Sequence, residues 1–483
     1  MGKLYLSPLV KVTSPAMIKY DFLYVLALAA LFASCKTTAK VSGTTVEPVK
    51  VNTLVALEDS LIGAHLGVMV VEAETGKVLA EHNSHKYFVP ASNTKLLSMY
   101  AGLKYLPDTL TGLRYYDAGD TIYAQPAGDP TLLVSEYKTH PVMDWLMAVK
   151  KPVVIDASNW KAERYGRGWT WSDYQASYQP ERSALPVYSN LMPVSFTAKG
   201  DSVAYNDQKI WMVTPNLELG EKGWSIPAEA LTYSYTPQAR FNRISRNYSS
   251  NGFEVNYNGR DTAFATEIPF VTYGVKTGIE ILRARLKKTE NQLITASDGR
   301  ASKILNIQYK ILPTQPLDSM LRPMMHRSDN FYAEQTVLMA SNEFLGYMSD
   351  RDMIDTMMKT DFKGMPDKPV WADGSGLSRY NMLSPADFVW LLDKTKKEFG
   401  MDRLKGIMQT GNTGTLTNYY KNLTGKMYAK TGTLSGQVAL SGYLYAKSGK
   451  LLLFSALVNN HNTEAPKVRR QVEKYLMGIW EGN

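Results

Sequence analysis

The sequence predicts an α/β fold in which an antiparallel sheet flanked by helices is split by a large β-rich insertion. Three observations carry this. A hairpin followed by an amphipathic helix lies near the start, and two strands followed by a helix lie at the end. Between them, residues 106–305 change texture to short β-like segments broken by turn signals. With 483 residues, 44% of them hydrophobic and 20% charged, the chain has globular composition and the length of more than one domain.

The elements follow in order. An apolar run from Phe22 to Ser34 is preceded by Lys3, Lys11 and Lys19. A membrane-spanning helix needs about 20 apolar residues, so this run has the length of a secretory signal core. It ends in Phe32-Ala33-Ser34-Cys35, small residues followed by the single cysteine of the chain. That ending resembles a bacterial lipoprotein signal, although Phe32 stands where Leu is usual. The resemblance implies that residues 1–34 are removed and that Cys35 carries a lipid anchor to the membrane. Met17 is an alternative start. Residues 35–54 read as a tether, and Lys36 rather than Asp after the cysteine resembles the enterobacterial sorting pattern that implies a periplasm-facing lipoprotein of the outer membrane.

From Leu66 to Ala73 and from Val78 to Ala80 the pattern is that of a hairpin turning at Glu74-Thr75-Gly76-Lys77. Pro90 and Ser92 then mark a helix start, with Leu96, Leu97, Tyr100 and Leu103 as its buried stripe. Residues 55–105 form the first part of the main domain. In the insertion, Asn247 to Gly252 is a strong turn signal. Strands are expected at Ser202 to Tyr205, Ile210 to Val213 and Phe264 to Val271, with a helix from Gly278 to Lys288. Residues 306–483 complete the main domain. Strands at Val438 to Tyr445 and Leu451 to Val458 are followed by a helix carrying Val468, Val472, Tyr475 and Ile479. Trp169, Trp171 and the pairs Met324-Met325 and Met357-Met358 read as packing residues.

Composition excludes several classes of function. One cysteine allows neither an internal disulfide nor a thiolate metal cluster, and of the six histidines only His82 and His85 lie close together. No metal or organic cofactor is expected. The net charge of +9 is spread without a Lys/Arg run, which argues against a nucleic-acid partner. It suits an enzyme acting on an anionic envelope polymer.

Three motifs converge on one chemistry. Ser92-Asn93-Thr94-Lys95 places a lysine three residues after a serine, on one helical face. A serine hydroxyl is a weak nucleophile until a neighbouring base takes its proton, and an amine of lowered pKa can be that base. Ser135/Lys138 and Ser158/Lys161 share the spacing but not the Pro-marked helix start. Ser328-Asp329-Asn330 precedes an apolar helical run and supplies a hydroxyl and an amide. Lys430-Thr431-Gly432-Thr433 precedes two strands, so it is expected on a sheet edge. There Lys430 offers a cation, Thr431 and Thr433 offer hydroxyls, and Gly432 lets a substrate backbone approach. A second Lys-Thr-Gly at Lys276 opens a helix and comes in the wrong order.

S-x-x-K, S-D-N and K-T-G in this order are the active-site set of β-lactamases and penicillin-binding proteins. The chain resembles the D-alanyl-D-alanine carboxypeptidase/endopeptidase family, the penicillin-binding protein 4-like peptidases. The stretches Gly128-Asp129-Pro130-Thr131-Leu132, Gly168-Trp169-Thr170-Trp171-Ser172-Asp173 and Asp373 to Asn381 share in it, as does the long gap between Ser92 and Ser328. The resemblance covers roughly residues 55–480. It implies a penicillin-recognising, transpeptidase-like domain.

The same resemblance implies that Ser92 is the nucleophile and Lys95 its base, with the lysine's pKa held down partly by Lys430. Ser328 would pass a proton to the leaving amine and Asn330 would bind the substrate amide. The N–H groups of Ser92 and Thr433 would form an oxyanion hole, and Lys430, Thr431 and Thr433 would hold the terminal carboxylate. Asp129 and Arg379 resemble positions that meet the end of a diaminopimelate side chain; Ser435 stands where some members carry a longer polar residue. The implied partners are peptidoglycan stem peptides, with β-lactams as covalent inhibitors. A β-lactamase or esterase on the same fold, and a non-catalytic envelope-binding protein, are the other readings.

Overall fold

Two segments near the C-terminus, Gln437–Tyr445 and Leu451–Asn459, are buried along almost their whole length. Strands without an exposed face belong at the centre of a sheet covered on both sides. The computed structural model places them there. It describes residues 52–483 apart from 200–201, 206–207, 212–213, 220–229, 259–262, 290–291 and 297–307. The expected signal peptide, Cys35, most of the tether and the end of the Ile210 to Val213 segment lie outside the described residues.

The central sheet has five strands in the order Met427–Leu434, Gln437–Tyr445, Leu451–Asn459, His65–Glu72, Val78–His82. Every neighbour is antiparallel, and the N-terminal hairpin joins the C-terminal strands through the register His65↔Asn459 to Glu72↔Leu452. One face is covered by Asn52–Ser60 and Ala465–Gly482, whose Val468, Val472, Tyr475 and Ile479 pack on it. The other face meets a core from the helices Lys95–Tyr105, Leu317–His326, Asn330–Leu345 and Pro385–Phe399. Met324, Met325 and Met357 are buried in that core.

The insertion is rich in strands and is reached through two adjacent ones. The helix Lys95–Tyr105 leads into Thr109–Asp117, and Lys310–Pro316 pairs with that strand antiparallel on the way back. The return strand therefore belongs to the insertion's own five-stranded sheet, and the main domain resumes at Leu317. This two-stranded stalk brings the second motif back beside the first. The helix expected from Gly278 runs from Lys276 to Leu286, opening at the second Lys-Thr-Gly.

Candidate active site

Ser92 is the one half-buried residue in a buried run from Ala91 to Leu103. It lies in a 3-10 turn, Ala91–Thr94, that feeds the helix Lys95–Tyr105. Ala91, with φ 48°, has the left-handed backbone that lifts the turn out of the preceding segment. Lys95 Nζ donates to Ser92 Oγ at 2.9 Å, to Asn330 Oδ1 at 2.6 Å and to the Ser375 carbonyl at 2.7 Å. Carbonyl oxygens only accept, so two N–H directions are committed to Asn330 and Ser375. In the neutral amine the lone pair is left facing Ser92, where it can take the hydroxyl proton.

Lys95 is fully buried. Burial pushes its pKa down to about 8, against Asp373, Asp329 and Glu334, whose charges favour the protonated form. Lys430 is also buried and is held well below the ordinary lysine value by burial, then by Lys95 and Arg469. The lowering of Lys95 thus comes first from burial.

The Ser375 carbonyl is set by a loop wound round a buried carboxylate. Asp373 accepts from the N–H groups of Gly376 and Ser378, from Asn381 Nδ2 and from Trp169 Nε1 of the insertion, at 2.7–2.9 Å. Glu334 holds the Ser375 N–H at 2.7 Å. Gly376 has φ 84°, and a Cβ there would overlap the Ala91 carbonyl, so no side chain fits. Glu334 is itself buried, and burial with the nearby Asp373 pushes its pKa up to about 7. Arg182, also from the insertion, pairs with Glu334 at 3.0 Å and Asp350 at 2.9 Å.

Ser328 sits between two helices with φ 62°, a strained conformation for a non-glycine residue. Asp329 caps the following helix, its side chain accepting from Tyr332 N at 3.0 Å. This points Asn330 back at Lys95, while its Nδ2 donates to the Tyr178 carbonyl at 3.0 Å. Lys430 Nζ donates to Ser328 Oγ and to the Thr431 carbonyl, both at 2.8 Å.

Met427–Leu434 is the edge strand of the central sheet. The turn Ser435-Gly436 closes on the pair Leu434–Gln437, and antiparallel pairs alternate from there. Ala429, Thr431 and Thr433 therefore turn their backbone groups to the open edge. The Ala429 N–H bond to the Gln409 carbonyl at 3.1 Å follows the same alternation. A Cβ on Gly432 would lie 2.6 Å from the Pro90 carbonyl and 3.0 Å from Ser92 N. The close approach at Gly432 is thus made by the Ser92 turn, not by a substrate, and it sets the edge strand against the nucleophile.

A cavity of about 440 Å³ opens beside the second motif. Ser328, Asn330 and Phe331 line one wall, and Glu136, Tyr178 and Tyr188 of the insertion line the other. Hydrogen bonds join Lys95 to Ser92 and Asn330, and Lys430 to Ser328, with Thr431, Gly432 and Thr433 on the strand of Lys430. Two expected residues are placed differently. Asp129 is buried, accepting from Thr131 N at 2.9 Å and Thr314 Oγ1 at 2.5 Å, and burial raises its pKa. It is not offered to a substrate ammonium group. Arg379 is exposed and braces the hairpin, donating to Gln437 Oε1 at 2.6 Å and to the Ser435 carbonyl at 3.2 Å.

Sequence reasoning missed the groups that position the lysine: Asp373, Glu334, Ser375 and Arg182. Only the Gly- and Ser-rich stretch from Asp373 to Asn381 hinted at Asp373 and Ser375. Trp169 is tied to Asp373, whereas Trp171 is 77% exposed and is not a packing residue.

Comparison with known proteins agrees with this geometry. The profile of the D-Ala-D-Ala carboxypeptidase 3 (S13) family matches residues 49–477. The chain is 24% identical over 478 residues to a D-alanyl-D-alanine carboxypeptidase of Actinomadura sp. (strain R39), covering 90% of this chain and 85% of that protein. It is 20% identical over 438 residues to D-alanyl-D-alanine carboxypeptidase DacB of Haemophilus influenzae, covering 83% and 86%. The crystal structure of penicillin binding protein 4 from Haemophilus influenzae shares its fold, with a TM-score of 0.70 and 18% identity over 88% of this chain and 98% of that one. With a profile match along nearly the whole chain, the protein belongs to the D-Ala-D-Ala carboxypeptidase 3 (S13) family of serine peptidases.

Proposed function

We propose that the enzyme acts as both a DD-carboxypeptidase and a DD-endopeptidase, cleaving D-Ala-D-Ala ends and peptide cross-links of peptidoglycan through an acyl-enzyme on Ser92. The observation that carries this is the bonding of Lys95, which leaves its one lone-pair direction on Ser92. Ser92 Oγ attacks the penultimate D-Ala carbonyl as its proton passes to Lys95 Nζ. The N–H groups of Ser92 and Thr433 stabilise the oxyanion. As the C–N bond breaks, the Ser328 hydroxyl, hydrogen-bonded to Lys430, gives its proton to the leaving amine and takes up the one held on Lys95, which returns both groups to their starting states. Water then attacks the ester, releasing the shortened peptide and restoring the Ser92 hydroxyl. The cavity beside Ser328 and Asn330 supports the endopeptidase part, because a cross-linked substrate carries bulk on both sides of the scissile bond.

The test is the mass of the intact protein after incubation with benzylpenicillin, beside Ser92→Ala. A lasting adduct on the wild type alone supports the reading. Penicillin consumed without an adduct would make the protein a β-lactamase, and penicillin left intact without an adduct would make it a binding protein. We place the enzyme in the bacterial envelope, held by a lipid on Cys35, on the strength of the signal-like ending Phe32-Ala33-Ser34-Cys35. Cys35→Ser is expected to move it from the membrane fraction to the soluble one.

A further inference from the structure

The edge strand poses a question of charge. A substrate ending in a free carboxylate brings a negative group to Thr431 and Thr433, yet both lysines of the site are committed elsewhere. Lys95 must be neutral to act as a base. Lys430 is buried, bonded to Ser328 Oγ and the Thr431 carbonyl, and is held well below the ordinary lysine value by burial. Neither donates a hydrogen bond to the hydroxyl of Thr431 or Thr433.

A third cation does. Arg469, half-buried on the C-terminal helix Ala465–Gly482, donates from Nη2 to Thr433 Oγ1 at 2.6 Å. No carboxylate pairs with it among the described residues, whereas its neighbour Arg470 is paired with Glu473. Because Thr433 Oγ1 accepts from Arg469, its own proton is free to point outward. Thr431 Oγ1 lies 2.5 Å from Thr415 Oγ1, which accepts from Gln409 Nε2 at 2.7 Å and whose single proton goes either to Thr431 or to Gln409 Oε1 at 3.0 Å. With Thr415 as donor to Thr431, both motif hydroxyls are left as donors to an incoming anion. Arg379, the other arginine near the strand, bonds to the turn at Ser435 and Gln437.

We propose that Arg469 binds the terminal carboxylate of the substrate, its guanidinium and the two threonine hydroxyls forming one anion site. The guanidinium is always charged and offers planar, paired N–H groups suited to a carboxylate. This inference rests on the proposed peptidase activity. It assigns the charge recognition to a residue outside the three motifs.

The test compares kcat/KM on a stem pentapeptide ending in D-Ala-D-Ala with that on the same peptide bearing a C-terminal amide. Wild type, Arg469→Met, Arg469→Lys and Arg379→Met are measured. Arg469→Met is expected to lose roughly 10- to 100-fold on the acid and nothing on the amide, so that the preference for the acid disappears. Arg469→Lys should regain part of it, and Arg379→Met should keep it. The ratio within one variant does not depend on how much of that variant is folded. An acid preference retained by Arg469→Met would overturn the inference while leaving the activity intact. No D-alanine release and no penicillin adduct from wild type would overturn the activity itself, and this inference with it.

Discussion

The Ser375 carbonyl accepts from Lys95 Nζ at 2.7 Å, and this bond, with the one to Asn330, turns the lysine toward Ser92. The lysine beside Ser92 is thus aimed by a loop outside the three motifs. The loop is in turn held by Glu334, which is paired with Arg182 of the insertion.

In the proposed mechanism the lysine acts unprotonated, so acylation of Ser92 by benzylpenicillin should rise with pH to a midpoint at about 8 and then level off. Glu334→Gln keeps an acceptor for the Ser375 N–H but removes a charge that favours protonated Lys95. Its midpoint should fall below the wild-type value. Stopped-flow acylation across pH measures both, and a midpoint that stays or rises would refute the coupling.

Gly376→Ala forces a side chain into the Ala91 carbonyl at a left-handed position. Strain and overpacking together cost on the order of 3 kcal/mol. The variant should melt earlier and form little penicillin adduct, because the loop can relax only by moving Ser375 away from Lys95. Wild-type acylation in Gly376→Ala would show that the loop is not needed to aim the base.

Ser328→Ala removes the hydroxyl held by Lys430 while leaving the Lys430 bond to the Thr431 carbonyl. Release of D-alanine should slow by roughly 10²- to 10⁴-fold with the melting temperature unchanged. Near-normal turnover would remove Ser328 from the proton path.

Asp129→Asn separates a structural carboxylate from a specificity residue. Burial raises the Asp129 pKa, so the folded state holds its proton more tightly than the unfolded one. That stabilisation is complete at low pH and is lost as pH rises through the folded value. The amide introduced by the substitution stays neutral, so the variant's melting temperature should rise relative to wild type as pH increases above about 4. Its relative rates on stems with diaminopimelate and with lysine should not change, and a changed selectivity would restore Asp129 to the substrate site.

What the chain determines locally was legible in its residues. Alternation and helical spacing are set within a few positions, which is why the end strands could be read to within a residue and the helix behind Ser92 by its buried stripe. The serine–lysine spacing of the first motif belongs to the same class, since one helical turn suffices to make the contact. The order of the three motifs was also legible.

Tertiary structure decided the rest. Lys95 and Asn330, 235 positions apart, meet only because the insertion leaves and returns through two paired strands. The proton state of Lys95 follows from complete burial, to which distant segments contribute, and no local pattern records that. Asp129 turned inward, Arg379 took the hairpin, and Arg469 reached Thr433 from a helix legible only by its apolar face. Periodicity is a property of neighbours in the chain, whereas burial and charge pairing depend on neighbours in space.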